Sequence, residues 1–477
     1  MLNYYNILSD EQIKAIHRAS LEVMEVIGLE IDHGGALKEL ADKGVNVDFE
    51  KKRVYFNADQ VDAALNTAPS SFNYGARNSA HNNVMASGGA PLCRALGGAM
   101  EHLDLYSGEA RALTKQDCIE LARVIDALPH LDLVTTPTIQ EFPLHSYDIH
   151  TLATLLRNTG KHVSALTVDS KHLKYELQIA EIVAGSKEKL AANPIIDGLV
   201  CMIDPYFMPS DEVERLKLYG EYQIPVHLVN VPITGATAPY TMSGTIVEIN
   251  AEFLMGTTLV HFLTPGLPHF YYYLPKAMDM KTANFVGACS PENILVLSSV
   301  AQLARHYQIP STISSGSGSS CQPHQLMHQY GSAINMAMLC GVTEIVGLGQ
   351  FSGSMQCSPA MVAIANEAVA FGKRIMNGFE LNVDSIGIDA MRRVGIKGNF
   401  VGDEHTLDYL RKEEKFSSNI FDWSDHNKWV LEGQRSIIDR AKAKTEKIIA
   451  EHEVVPLDDH IDKEIEKLLR HADDDLS

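Results

Sequence analysis

From residue 131 onward, short apolar runs alternate with longer stretches in which apolar positions recur every three or four residues. The runs are Leu131–Thr136, His162–Val168, Ile195–Ile203, Pro225–Val231, His269–Leu274, Pro310–Ser315, Glu344–Gly349 and Glu380–Val383. They are short and β-branched, often begin after proline, and show no polar alternation, which predicts parallel strands buried on both faces. Helical periodicity fills the intervals, as over His172–Ala184, Asp211–Tyr222, Thr245–Leu263, Pro291–Tyr307, His324–Cys340 and Pro359–Met376. This repeated strand–helix unit predicts a closed (β/α)8 TIM barrel. An open doubly wound sheet would want a GxGxxG turn after its first strand, and the sequence has none there.

The flanks have a different pattern. Ser9-Asp10 reads as a helix cap, followed by Ile13, Ile16, Val23, Met24 and Ile27 at helical spacing. A second helix is predicted over Ala36–Lys43, ended by Gly44. Alternating stretches Arg53–Phe56, Ser71–Tyr74, Asn83–Ala86, Pro91–Leu96 and Glu101–Tyr106 predict a small antiparallel sheet. The expected division is residues 1–113 as a helical hairpin plus antiparallel sheet, 114–400 as the barrel, and 401–477 as a C-terminal helical extension. That extension carries Trp429, Leu431, Ile437 and Ile448 and ends in an acidic tail.

Composition narrows the function classes. The 477 residues carry a formal net charge of −20, which argues against nucleic acid and against an anionic membrane surface. No run of apolar residues predicts a transmembrane helix, and the N-terminus lacks the basic-then-apolar order of a signal peptide. The seven cysteines are scattered, with no CxxC spacing, as expected of a reduced, cytoplasmic setting.

Residues 229–265, VNVPITGATAPYTMSGTIVEINAEFLMGTTLVHFLTP, running on through GLPHFYYYLPKAMDM, form a distinctive segment. With SGEARALTKQD at 107–117, ACSPENILVLSSVAQLARHYQIP at 288–310 and GDEHTLDYLR at 402–411, it resembles the trimethylamine methyltransferase superfamily. The N-terminal helix and VDFEKKRVYF at 47–56 extend the resemblance over almost the whole chain. The resemblance implies methyl transfer to the Co(I) corrinoid of a cognate partner protein, with no tightly bound cofactor on this chain and a homo-oligomeric assembly. Trimethylamine-specific members carry pyrrolysine near the end of the sixth barrel strand. The corresponding region here is Ser314-Ser315-Gly316-Ser317-Gly318-Ser319-Ser320, without that residue. Members lacking pyrrolysine include glycine betaine methyltransferases and relatives acting on proline betaine, carnitine or γ-butyrobetaine. The resemblance therefore implies a quaternary amine, with glycine betaine the first expectation. A non-catalytic betaine-binding or corrinoid-docking scaffold is the alternative from another class.

The chemistry suits these residues. A quaternary ammonium releases a neutral amine, so no general acid is required; orientation and exclusion of water remain. Gly316 and Gly318 would leave room for the corrinoid. Aromatic faces hold quaternary ammonium groups, and the candidates at strand ends are Tyr206, Phe207, Tyr272 and Phe351, with Phe142, Tyr240, Tyr271 and Tyr273 nearby in sequence. Glu141 and Asp204, with Asp169, also fall at strand ends and are candidate catalytic carboxylates; helix capping is their structural alternative. His324, Lys276 or His328 would meet a betaine carboxylate. Cys321, His324 and His328 have a spacing that metals can use, but this chemistry needs no metal and none is assigned.

Overall fold

The computed structural model describes residues 4–274, 276–286, 289–315, 323–412 and 415–477. Eight parallel strands close into a barrel. In chain order they are β1 (Leu92–Ala95), β2 (Leu133–Thr135), β3 (His162–Ser164), β4 (Ile196–Cys201), β5 (Val226–Asn230), β6 (His269–Tyr273), β7 (Ser311–Ser314) and β8 (Glu344–Leu348). Each strand pairs with its successor, and β8 pairs with β1 to complete the ring, with an irregular register between Ile345 and Leu348.

The helices are α1 (Lys115–Ala127), α2 (Tyr147–Asn158), α3 (Ser170–Ala184), α4 (Ser210–Tyr222), α5 (Met242–Leu263), α6 (Pro291–Tyr307), α7 (Pro323–Leu339) and α8 (Pro359–Met376). Their starts follow local chemistry: Thr114 caps α1 through a reciprocal bond with Asp117, Asp169 caps α3, and Ser290 and Ser358 precede prolines at the first turns of α6 and α8. Helix α5 is long and apolar enough to cross a membrane, yet 78% of its apolar window is buried inside the protein. It is a core helix, packed between the barrel and helix Asp10–Val26.

Seven strands fall where the sequence predicts them, and the eighth does not. Pro91–Leu96, expected in the N-terminal antiparallel sheet, contains β1 of the barrel, so the barrel begins inside the stretch assigned to residues 1–113. Glu380–Val383 is not a strand; it is exposed and leads into the short helix Val383–Ile386. The reason is local. β1 reads Leu-Cys-Arg-Ala, follows a glycine-rich hairpin and is separated from β2 by further hairpin strands as well as by α1, so no simple strand–helix unit marks it.

The small N-terminal elements seal the end of the barrel where the strands start. Hairpin Ser71–Tyr74/Asn83–Ala86 sends Tyr74 and Met85 into a plug with Leu92, Leu133 and Phe270. In the C-terminal extension, helix Ile437–Glu451 packs on α8 and α1, and helix Asp459–Leu476 packs on α3. The acidic end of the latter is partly tied down: Asp473 accepts hydrogen bonds from Ser146 and His150.

Candidate active site

Strand alternation sends every second side chain into the barrel. The resulting layers have distinct chemistry. Above the apolar plug lies a polar layer: Arg94 from β1, His162 and Ser164 from β3, Asp197 from β4, His227 from β5, Thr312 from β7 and Glu344 from β8, all of them buried. Arg94 donates through Nε to Glu344 at 2.9 Å and through Nη1 to Ser164 at 2.5 Å. Its Nη2 lies 2.6 Å from Asp197, 2.8 Å from the Tyr74 hydroxyl and 2.7 Å from His227 Nε2. Thr312 donates to Glu344 at 2.7 Å.

A guanidinium between two buried carboxyls fixes the charge of this layer. Burial and the charge of Glu344 push Asp197 well above the ordinary carboxylate range, and burial raises Glu344 despite Arg94. Both shifts disfavour a second negative charge beside the one that the Arg94 guanidinium balances. Burial brings His162 down to about 3 and, with Arg94 alongside, holds His227 well below its usual value, so both imidazoles are neutral. Asp197, His227 and Glu344 bring ligand atoms within 4.8 Å of one another, a separation a metal could bridge. Arg94 Nη2 already occupies the space between them, so the cation of this layer is the arginine itself.

Above this floor opens a cavity of about 510 Å3 at the C-terminal ends of the strands, where barrel active sites lie. Its walls are apolar: Leu166, Leu199, Cys201, Val229, Leu274 and Val346. Burial pushes the Cys201 thiol up to about 12, leaving it a neutral wall residue and not a thiolate. Tyr272 faces inward among Val229 and Val346, with its ring edge-on to His227 at 5.4 Å. The rim is small and polar, with Gly97, Ser314, Gly347, Gln350 and Ser352–Ser354, and it carries Lys276. No carboxylate lines the cavity among the described residues.

Of the residues singled out from sequence, Tyr272 and Lys276 line this cavity. Phe207 instead lies in a strand that pairs with Leu29–Ile31 in the N-terminal sheet. Tyr206, next to it, packs on the apolar core. Phe351 is fully buried in a two-residue strand paired with Gln356. Tyr271 and Tyr273 point outward, Tyr271 stacking on Phe253 of α5 at 3.8 Å. Position at a strand end does not settle direction, because each side chain must satisfy the pleat. A cage of several aromatics therefore does not surround this cavity among the described residues; Tyr272 is the aromatic there.

The carboxylates also divide. Glu141 is exposed and accepts from the Lys115 amide at 2.6 Å, in the first turn of α1, which is the helix-capping alternative. Asp169 likewise caps α3. Asp204 stands behind the cavity wall, accepting from the Val231 amide at 3.0 Å, beside Glu248 and Glu252 of α5. Glu252 accepts from Asn230 at 2.9 Å and from the Tyr206 amide at 2.9 Å. Burial raises all three acids, Glu248 to about 8. Gly316, Gly318, Cys321 and the side chain of His324 lie outside the described residues, and His328 is exposed.

Sequence reasoning missed Arg94, Asp197, His227 and Glu344. A signal was present: a charged or imidazole side chain inside an apolar strand, as in Ile196-Asp197-Gly198-Leu199 or Val226-His227-Leu228, costs free energy unless paired.

Comparison with known proteins agrees with this geometry. Residues 1–475 match the family described as trimethylamine methyltransferase (MTTB). The trimethylamine methyltransferase MttB of Desulfitobacterium hafniense is 28% identical over 470 residues, covering 98% of this chain and 94% of that protein. A glycine betaine methyltransferase of Desulfitobacterium hafniense strain Y51 is 27% identical over 475 residues, covering 98% of this chain and 97% of that protein. In fold, the chain is similar to the crystal structure of the Methanosarcina barkeri monomethylamine methyltransferase (MtmB), with a TM-score of 0.55 at 11% identity over 93% of this chain and 89% of that one. With its closed parallel barrel and a sequence match running nearly end to end, the chain belongs to the trimethylamine methyltransferase (MTTB) family and is a methyltransferase.

Proposed function

We propose that the protein takes a methyl group from a quaternary amine bearing a carboxylate, glycine betaine first, and passes it to a Co(I) corrinoid carried by a partner protein. The observation that carries this reading is the lining of the cavity: apolar walls, a lysine at the rim, and no carboxylate among the described residues. Such a lining is poor for a small organic cation alone. It suits a zwitterion whose carboxylate meets Lys276 and whose methylated nitrogen sits against Leu, Val and the Tyr272 ring. The MttB and glycine betaine relatives are equally similar overall, so the lining, and not the identity, favours the betaine.

The chemistry follows from charge. The donor C–N bond breaks with its electron pair left on nitrogen, so the amine departs neutral and needs no proton. Positive charge at nitrogen disappears along the reaction, and an apolar wall that favours the neutral amine lowers the barrier relative to the bound ammonium. The walls exclude water, and the floor held by Arg94 fixes the depth to which the donor can sink. A reduced corrinoid would supply the nucleophile from the open side, where Gly97, Ser314, Gly347 and Ser352–Ser354 leave a rim of small residues. The small residues Gly316 and Gly318, which follow β7 in sequence, suit an unobstructed approach of the corrinoid; Gly316→Trp is expected to abolish transfer with an unchanged thermal midpoint.

The test is methylation of a reduced corrinoid protein followed by cobalamin absorbance across a panel of donors. Glycine betaine, proline betaine, carnitine or γ-butyrobetaine should serve, with the tertiary amine as product. Turnover of trimethylamine with no betaine turned over would sink the reading, and ligand binding without any cobalt methylation would make the protein a scaffold.

A further inference from the structure

The two acids of α5, Glu248 and Glu252, stand four residues apart and so on one face of the helix. That face meets the outer side of the barrel. Asn230, at the end of β5, donates to Glu252 at 2.9 Å, and Tyr273, at the end of β6, is the ladder partner of Asn230. Cross-strand partners point to the same side of a sheet, so the Tyr273 ring is directed at the same helix face. There its hydroxyl feels the charges of Glu248 and Asp204. Asp204, in the loop after β4, completes the group, its carboxyl sharing a hydrogen bond with that of Glu252.

The group is short of donors and of positive charge. Glu248 is 2% exposed, and neither of its carboxyl oxygens meets a hydrogen-bond donor. Oδ1 of Asp204 and the hydroxyl of the fully buried Tyr273 likewise have no partner. The charges acting on Glu248 and Glu252 are those of the other acids, and no lysine, arginine or histidine pairs with any of the three among the described residues. A buried carboxylate without a counter-charge and a buried hydroxyl without a partner each cost free energy, and here they stand together. Asp204 is only partly buried, which leaves the group a way in from solvent.

We infer that Asp204, Glu248 and Glu252, with the Tyr273 hydroxyl, form a cation site that takes Ca2+. Two properties of the group choose the ion. Every donor is an oxygen, which selects a hard cation over zinc or copper. The group is also wide: among the described residues the set of ligand atoms lying within 4.8 Å of one another is Asp197, His227 and Glu344, so these three acids span more than that. Mg2+, with oxygens at about 2.0–2.1 Å, would need the group to contract to a small octahedron. Around Ca2+, at about 2.3–2.6 Å and in adaptable geometry, opposite oxygens stand up to roughly 5 Å apart. The ion ties the loop after β4 and the ends of β5 and β6 to α5. Cys201, Val229 and Tyr272, from the same strand ends, face the cavity, so the site stiffens the cavity wall from behind without touching the methyl donor.

Isothermal titration of the chelator-stripped full chain with CaCl2 tests this, at physiological ionic strength so that scattered surface acids are screened. One Ca2+ should bind per chain and raise the thermal midpoint, and MgCl2 should bind at least about tenfold more weakly. TbCl3, an ion of similar size, should luminesce on excitation of tyrosine, with Tyr273 against the site, and CaCl2 should quench the signal by displacement. Glu248→Gln and Asp204→Asn each remove a charged ligand while keeping its shape; each should raise the Ca2+ dissociation constant at least about tenfold with unchanged far-UV circular dichroism. Glu141→Gln, at an exposed acid, should leave it unaltered. No binding of Ca2+ by the wild type, equal affinity for Mg2+, or affinity unaffected by either of the two site substitutions would each overturn the inference.

Discussion

Replacing Arg94 by methionine removes the cation from a buried polar layer. Arg94 is 3% exposed, and Asp197 and Glu344 are fully buried. Its loss strips a charged donor from Asp197, Glu344 and Ser164 and leaves two carboxyls facing one another across an apolar side chain. Breaking one side of a buried ion pair costs about 3–5 kcal/mol. Unfolding entropy near 2.1 cal/mol/K per residue gives on the order of 1 kcal/mol/K for a chain of this size, so the thermal midpoint should fall by about 3–5 °C near pH 7.5. The loss should depend on pH in a definite direction. Without Arg94 both carboxyls have folded-state pKa values above their unfolded ones, so each favours the fold when protonated and opposes it as pH rises. The deficit of Arg94→Met should therefore shrink at pH 5.5. Adding Asp197→Asn and Glu344→Gln should recover most of it at pH 7.5, because no uncompensated charge remains. Differential scanning calorimetry of the three proteins at both pH values decides it. A deficit of equal size at both pH values, unrelieved by the amide variants, would show that Arg94 contributes only packing and refute the electrostatic account.

Three further predictions concern the cavity and its supports. Lys276→Met should raise KM for glycine betaine about tenfold or more with a smaller change in kcat, since the lysine meets a part of the donor that does not react; steady-state kinetics with an unchanged KM would remove it from the site. Glu248, which burial raises from an ordinary carboxylate value to about 8, stays neutral in the fold while the unfolded chain ionises, so stability falls as pH rises through this interval and levels off above about 8; Glu248→Gln should flatten the fall in thermal midpoint between pH 5 and 8, and an identical slope would contradict the assignment. A Cβ at Gly198 would meet the buried Tyr219 ring at 2.0 Å, so Gly198→Ala should cost about 1–3 kcal/mol through overpacking, read as a lower thermal midpoint.

Much of the fold was legible from the sequence because burial leaves a local trace. Ile195–Ile203 and Pro225–Val231 are mostly apolar along both faces, and that pattern arises where one face meets a barrel interior and the other a helix. Ser9, Thr114 and Asp169 mark helix starts because orphan amides there need acceptors. The family, too, was legible, since its segments keep their order along the chain. Position in the ring was less so. Leu92–Ala95 looks like one more hairpin strand, and only closure between β8 and β2 makes it β1. Glu380–Val383 has strand-like residues but no neighbouring strand left to pair with.

The site shows the same division. Strand–helix periodicity pointed to a barrel, and the order of its segments pointed to the trimethylamine methyltransferase family. The tertiary structure decided which side chains share the interior. Arg94, Asp197, His227 and Glu344 are separated by long stretches of chain, and no local period links them; the shear of the barrel sets them in one layer. Tyr271, Tyr272 and Tyr273 are adjacent in sequence, yet the pleat sends one to the cavity and two to the helices. Sequence reports which residues prefer burial, because solvation is a property of each side chain; which buried residues meet is a property of closure, and it exists only once the eighth strand has joined the first.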